Sequence, residues 1–213
     1  MIYWISAFIF KLFSKIYLRG KASGKENFPE KGPFISVVNH NSNMDTVAIS
    51  LVVRHRAYAM AKDSLFRVPI LKWWLKAVGM FPVVRDASDE KAFNQALHLL
   101  KNGKIIYMAP EGTRKKIEGQ RNRPRTGFIR LAQMTGCPIV PIAIYGTEKV
   151  LPPGAWFPRP TKVRLKVGKP IQLEKVELSL ENKEQLQQQA DMIMGIIYHM
   201  IDEIEQDEKK QAT

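Results

Sequence analysis

The chain has 213 residues, of which 45% are hydrophobic and 25% charged, enough to bury the core of one domain and too apolar for a disordered or fibrous protein. Thirty-three Lys and Arg against 20 Asp and Glu leave a formal net charge of +13, a field that suits a polyanionic partner, whether nucleic acid, anionic lipid or a phosphorylated substrate. One cysteine, Cys137, rules out an internal disulfide and a multi-cysteine metal site, and a reducing compartment is expected.

Residues 1–19 read as a unit of their own. Ile2, Trp4, Ile5, Phe8, Ile9, Leu12, Phe13 and Ile16 recur at helical spacing, while Lys11, Ser14, Lys15 and Arg19 gather on the remaining arc. Tyr3, Trp4 and Tyr17 add rings suited to a lipid headgroup zone. Two readings stand: an amphipathic helix lying on a membrane, or one packed on the protein's own body. The uncharged run Met1 to Phe10 would reach about 15 Å as a helix, half of the roughly 30 Å hydrocarbon core, so no unaided span is expected. The first residues lack the basic start and cleavage site of a signal peptide and the last ones lack a lipidation box, so neither is expected.

A stretch rich in Gly, Lys and Pro, Gly20 to Pro33, leads into the main domain. Phe34 to Val38 reads as a buried strand, Thr46 to Arg54 as helix, Ala57 to Ala61 as strand, and Leu65 to Val78 as an apolar helix ended by Gly79. Met80 to Val84 is a further strand. Ser88 is expected to cap a helix with Asp89 and Glu90 in its first turn and Asn102-Gly103 at its end. Lys104 to Met108 and Ile139 to Ile144 are strands, joined by a basic loop and the helix Phe128 to Thr135. The tail, Asn182 to Asp207, is amphipathic through Leu186, Ala190, Ile193, Ile197, Ile201 and Ile204, and its acidic end, Asp202 to Glu208, is expected to be a solvated face. Strands interleaved with helices predict one α/β domain over 20–213, with a mostly parallel central sheet flanked by helices and its motif-bearing part at about 34–144.

No G-x-S-x-G elbow, Walker loop, H-E-x-x-H or dinucleotide G-x-G-x-x-G occurs. Cys137, between Gly136 and Pro138 at the start of an apolar strand, reads as a small buried hydrophobe. Covalent catalysis therefore has no obvious nucleophile. The run Asn39-His40-Asn41-Ser42-Asn43-Met44-Asp45 sits where a buried strand gives way to a helix, the place where α/β sheets carry their sites. Across such a turn Asp45 can accept from one ring nitrogen of His40 and leave the other free as a base; read alone, Asp45 is equally a helix N-cap and His40 a loop residue. A second cluster, Met108-Ala109-Pro110-Glu111-Gly112-Thr113-Arg114, packs a carboxylate, a glycine, a hydroxyl and a guanidinium into four residues and can build a phosphate clamp or an ordinary polar turn. Lys115, Lys116, Arg121, Arg123, Arg125 and Arg130 follow, and Gly79 to Val84 places Arg85 at a strand end.

The order NHNSNMD, GMFPVVR, PEGTR, IVPIAI resembles the four ordered blocks of the glycerolipid acyltransferase family, whose best-known members are the PlsC-like 1-acylglycerol-3-phosphate acyltransferases. Lys62 to Pro69 also resembles the family's lysine–leucine–proline stretch between the first two blocks. The resemblance covers about Phe34 to Ile144. It implies His40 as general base with Asp45 as its orienting partner. It implies Glu111, Gly112, Thr113 and Arg114, with Arg85 and Lys62, around the acceptor's phosphate, and Pro141 on the acyl-donor side. Ala109 and Lys115 stand where the third block commonly has Phe and Ser, and Val84 where the second commonly has an acidic residue; these departures bear on the acceptor.

The implied reaction moves an acyl chain from acyl-CoA or acyl-carrier protein to a lysophospholipid acceptor, with 1-acyl-sn-glycerol-3-phosphate, giving phosphatidic acid, as the favoured one, and with no cofactor, no metal and no acyl-enzyme. It would run on the anionic cytoplasmic face of a membrane, met as a peripheral, monotopic protein. Other lysophospholipid or glycerol-phosphate acceptors, and a non-catalytic lipid-binding relative, stay open as alternatives. The charge alone also fits a nucleic-acid-binding module with Arg114 to Arg130 as footprint, but that segment has no aromatic interleaving until Phe128 and no binding motif, so no nucleic acid is expected.

Overall fold

A strand needs a ladder partner for every buried amide, and in this chain the apolar β-branched runs find theirs in one another. The computed structural model describes residues 1–84, 89–112, 122–152, 155–179 and 181–211. Its strands are β1 (Lys21–Ser23), β2 (Ile35–Val38), β3 (Ala57–Lys62), β4 (Met80–Val83), β5 (Ile105–Met108), β6 (Ile139–Tyr145) and β7 (Arg164–Val167), and its helices α1 (Ile2–Ile16), α2 (Asp45–Ala48), α3 (Pro69–Ala77), α4 (Glu90–Lys101), α5 (Gly127–Thr135), α6 (Thr147–Val150) and α7 (Lys183–Lys210). The strands form a seven-stranded sheet in the order β1-β7-β6-β2-β5-β3-β4. Strands β2 to β6 run parallel, with Val37 opposite both Met108 and Pro141, while β7 lies antiparallel to β6 and brings β1 alongside it. The expected α/β architecture is therefore present, with two short reversed strands at one edge.

Every residue of β2 is buried, as a strand covered on both faces requires. One face packs against α4, α5 and α7 through Ala96, Leu100, Phe128, Ile193 and Ile197. The other carries Leu18, Phe34, Leu51, Ile142 and Leu165, with Phe13 of α1 against them. The expected helix Leu65 to Val78 is split: Asp63–Arg67 is a 3₁₀ turn and α3 begins at Pro69. Proline holds Val68 in an extended conformation, φ −85° and ψ 116°, and itself suits the first helical position, where no N–H is needed. The expected helix Thr46 to Arg54 shortens to α2 and a 3₁₀ turn, Ile49–Leu51.

Helix α1 packs on the protein's own body along one face and leaves the other open. Its inner face is seated: Ser14 is buried and donates to Val47 O at 3.1 Å, and the Tyr3 hydroxyl donates to His55 O at 3.2 Å and accepts from Ala57 N at 3.1 Å. Its outer face, Ile5, Phe8, Ile9 and Ile16, stays exposed. The acidic end of α7 is exposed at Asp202 and Asp207, as expected of a solvated face, and is also tied to β7 by ion pairs. Glu208 accepts from Arg164 Nε at 2.6 Å and Glu203 from Lys166 Nζ at 2.9 Å, because β7 alternates inward Leu165 and Val167 with outward cations.

The cap expected at Ser88 lies outside the described residues; Asp89 takes the part, accepting from Ala92 N at 3.0 Å and from Val84 N at 2.8 Å. Its carboxylate thus ties together the two ends of the segment that carries Arg85. The Val84 and Ala92 amides hold the Asp89 carboxyl below its ordinary range, so its contribution is present above that range and lost as pH falls through the lowered value. Asp89→Ala is expected to cost about 1 kcal/mol at neutral pH. Thermal unfolding as a function of pH checks this: the gap between wild type and variant should close on acidification, and a gap unchanged at acid pH would contradict the capping role.

Candidate active site

The C-terminal ends of β2, β5 and β3 lie side by side, and His40, Glu111 and Lys62 leave the sheet there together. At this edge of a parallel sheet the backbone has run out of ladder partners. Asn39 supplies them from its side chain: its amide donates to Ile144 O and accepts from Ile144 N, each at 2.8 Å, and is fully buried. The chain can then turn away from β6 at His40 without orphaning Ile144, and the first and fourth sequence blocks are locked together.

The His40 ring is 17% exposed and its Nδ1 lies 2.8 Å from Asp45 Oδ2. Asp45 is the first residue of α2 and is buried. Its Oδ2 also accepts from Asn41 N at 2.9 Å and Ser42 N at 3.0 Å, and its Oδ1 from the Thr147 hydroxyl at 2.5 Å. Asp45 is not the N-cap of α2, whose N-cap is Met44; its carboxylate instead closes the loop before the helix and lies against the histidine ring. A carboxylate accepts, so the imidazole proton sits on Nδ1 and the Nε2 lone pair is left for a substrate. Among the described residues the ring has no serine or cysteine partner. Cys137 is buried beside Thr135, and burial pushes its thiol pKa up, as a structural cysteine requires.

Expected in the phosphate clamp, Glu111 is instead buried, and both of its oxygens are taken. Oε2 accepts from the His40 backbone N at 2.7 Å and Oε1 from the Tyr198 hydroxyl at 2.5 Å. A carboxylate so engaged has no donor to offer an anion, so its place is behind the histidine. Gly112 follows with φ +70°, and a Cβ there would sit 3.0 Å from Arg125 Nε. Glycine thus lets the Arg125 side chain lie over the turn, with Arg125 N donating to Pro110 O at 2.9 Å. Lys62 ends β3 and is exposed at the same rim. Thr113, Arg114 and Arg85 lie outside the described residues. Pro141, expected on the acyl-donor side, is buried within β6 opposite Val37 and is not among the cavity-lining residues.

From His40 a cavity of about 1290 Å³ opens, with Lys62, Gly112, Arg125 and Arg130 among its polar lining. Its floor is Ala57, Ala59 and Ala61 of β3, and its roof includes Phe10 of α1 and Leu71, Trp74 and Leu75 of α3. Trp74 Nε1 donates to Ser6 Oγ at 3.1 Å and so ties the two roof helices. The four steps from Ala57 to Ala61 cover about 13 Å, and small alanine side chains keep that length open. The lining continues to Val83, Phe93 and Phe128 on the face covered by α4 and α5.

The sequence pattern of the Acyltransferase family matches residues 19–145, which include His40, Asp45, Lys62, Glu111 and Gly112. The chain belongs to this family. A chloroplastic 1-acyl-sn-glycerol-3-phosphate acyltransferase of Brassica napus is 30% identical over 179 residues, 80% of this chain and 52% of that one. A 1-acyl-sn-glycerol-3-phosphate acyltransferase of Bacillus subtilis is 29% identical over 157 residues, 72% of this chain and 75% of its own. The crystal structure of the 1-acyl-sn-glycerophosphate acyltransferase PlsC from Thermotoga maritima matches with a TM-score of 0.75 at 28% identity, covering 93% of this chain and 79% of that one. The chain spans about half the length of the plant relatives it matches.

Proposed function

We propose that the chain transfers a fatty acyl group from an acyl thioester, acyl-CoA or acyl-carrier protein, to the free hydroxyl of a lysophospholipid, with 1-acyl-sn-glycerol-3-phosphate as the favoured acceptor. The observation that carries this reading is the His40–Asp45 pair, 2.8 Å apart, at the head of a long apolar cavity within the family's matched segment. The acceptor oxygen attacks the thioester carbonyl while His40 Nε2 takes its proton. The C–S bond then breaks, and the sulfur leaves with the proton returned by the imidazolium. Asp45 holds the ring and stabilises the cation it becomes. A thioester is already activated, so an enzyme nucleophile is not needed. Lys62 and Arg125 at the rim are suited to the acceptor's phosphate, together with the expected Arg85, Thr113 and Arg114. The apolar lining on both faces of the sheet suits the chains of two acyl-bearing substrates.

A lipid surface fits the outside of the same region. Phe8 of α1 is 67% exposed, Ile70 of α3 is 83% exposed, and Trp156 and Phe157 are 93% and 81% exposed. The Tyr17 hydroxyl, beyond the end of α1, donates to Pro158 O at 2.7 Å and brings that loop beside the helix. Lys11 and Lys15 are exposed on α1, and cations near an anionic bilayer contribute about 1 kcal/mol each. Among the described residues no helix is long and apolar enough to cross a membrane, and a peripheral association is the form proposed.

Acceptor-dependent thiol release from a long-chain acyl-CoA, and in parallel from an acyl-carrier protein, tests the reaction. His40→Ala is expected to lower the rate about 10²- to 10⁴-fold; folded variant with near wild-type transfer would rule out the base. Phe8→Glu with Ile9→Glu should weaken co-sedimentation with anionic vesicles, and binding equal to wild type would remove α1 from the lipid contact.

A further inference from the structure

The catalytic loop is braced from an element that none of the four sequence blocks contains. Tyr198 lies on α7, a helix that packs against β6, α5 and β7. It is buried, with Ile197 and Met194 beside it on the same inward face. A tyrosine hydroxyl in such a place needs a partner. It finds Glu111 Oε1 at 2.5 Å, across 87 residues of sequence. The other oxygen of the same carboxylate accepts the backbone N–H of His40 at 2.7 Å.

We infer that Tyr198 is a positioning residue for the reaction proposed above, acting through Glu111 to fix the backbone of the base. The inference rests on that reading of His40. The ring of His40 is oriented by Asp45, but a ring turns about a Cα, and the Cα is placed by what the backbone on either side of it touches. On the Asn39 side the Ile144 backbone holds the chain. The His40 amide is held by Glu111 alone among the described residues. Glu111 in turn sits in the turn after β5, where Gly112 N donates to Ala109 O at 3.2 Å, and its side chain has free torsions. With one oxygen on the His40 amide and the other on Tyr198, the carboxylate is held at both ends and cannot rotate. Without the tyrosine hydroxyl one oxygen is buried and unmatched, and the group can turn toward any donor within reach. Tyr198 is not among the cavity-lining residues, so its removal should act on the position of His40 and leave substrate binding alone.

Tyr198→Phe keeps the ring and removes the hydroxyl. The expected result is a fall in kcat of about tenfold with KM for donor and acceptor within about twofold, and a thermal midpoint near that of wild type. Glu111→Gln keeps the brace in the orientation where its oxygen accepts from His40 and its amide donates to the Tyr198 oxygen. It should therefore be milder than Glu111→Ala. The losses from Tyr198→Phe and Glu111→Ala should not add, because the two residues form one chain to His40. Hydrogen exchange at the His40 amide reads the same brace without turnover: it should quicken in Tyr198→Phe, while exchange at the Leu165 amide, in β7 between β1 and β6, stays as in wild type. A kcat equal to wild type, a change confined to KM, additive losses, or unaltered exchange at His40 would each overturn the inference. Absence of turnover in the wild-type chain with every donor and acceptor would instead remove the reading of the reaction, and the exchange measurement would still decide whether the brace exists.

Discussion

The Asp45 carboxylate is where this fold and its chemistry meet. A buried charge is tolerated only when donors surround it, and four are brought to Asp45: the His40 ring, the Asn41 and Ser42 amides and the Thr147 hydroxyl. They come from the loop after β2 and from the start of α6 after β6. The same carboxylate therefore closes the loop after β2, joins two central strands at their ends and sets the tautomer of the histidine. Removing it would leave several buried donors without an acceptor, and the local structure and the chemistry would fail together.

A parallel sheet explains why so much converges here. Strands β2, β5 and β3 all end at the same edge, so residues far apart in the chain arrive together without any of the strands bending. Below that edge the alanines of β3 and the side chains of α1 and α3 leave an apolar space; Lys62, Arg125 and Arg130 add cations to its lining. A polar head and an apolar chain on one molecule match that division, and the exposed outer faces of α1 and α3 continue it outward. Helix α1 contributes to both, with Tyr3, Ser6 and Phe10 lining the cavity and Phe8 and Ile9 facing away.

Much of this was legible in the residues. The long apolar runs declare β2, β5 and β6, because a strand buried on both faces needs no polar alternation. His40, Asp45 and the PEG turn could be placed at strand ends for the same reason. Strands β1 and β7 were not legible: three or four residues with Lys and Arg on alternate positions make no apolar run, and only pairing to β6 reveals them. Polar residues that act behind the site were harder still. Asn39 stood in the first block with no role, although a polar residue closing an apolar strand calls for a partner. Tyr198 looked like one more residue of an amphipathic helix, although a tyrosine on the buried stripe must place its hydroxyl somewhere. For Glu111, residue type and neighbourhood suggest a clamp, while the direction of its oxygens, toward the His40 amide and the Tyr198 hydroxyl, is a property of the folded chain.

The proposed chemistry depends on the charge of Asp45 behind the imidazole. Asp45→Asn keeps the side chain's shape and, with its oxygen toward His40 and its amide toward Thr147, keeps the hydrogen-bonding places filled while removing the charge. The deciding measurement is kcat for acceptor-dependent thiol release by this variant, with its circular dichroism and melting compared against wild type. A fall of about 10² or more with little change in KM is predicted. A folded Asp45→Asn enzyme turning over within about threefold of wild type would contradict it, since the charge would then have no part in stabilising the protonated base.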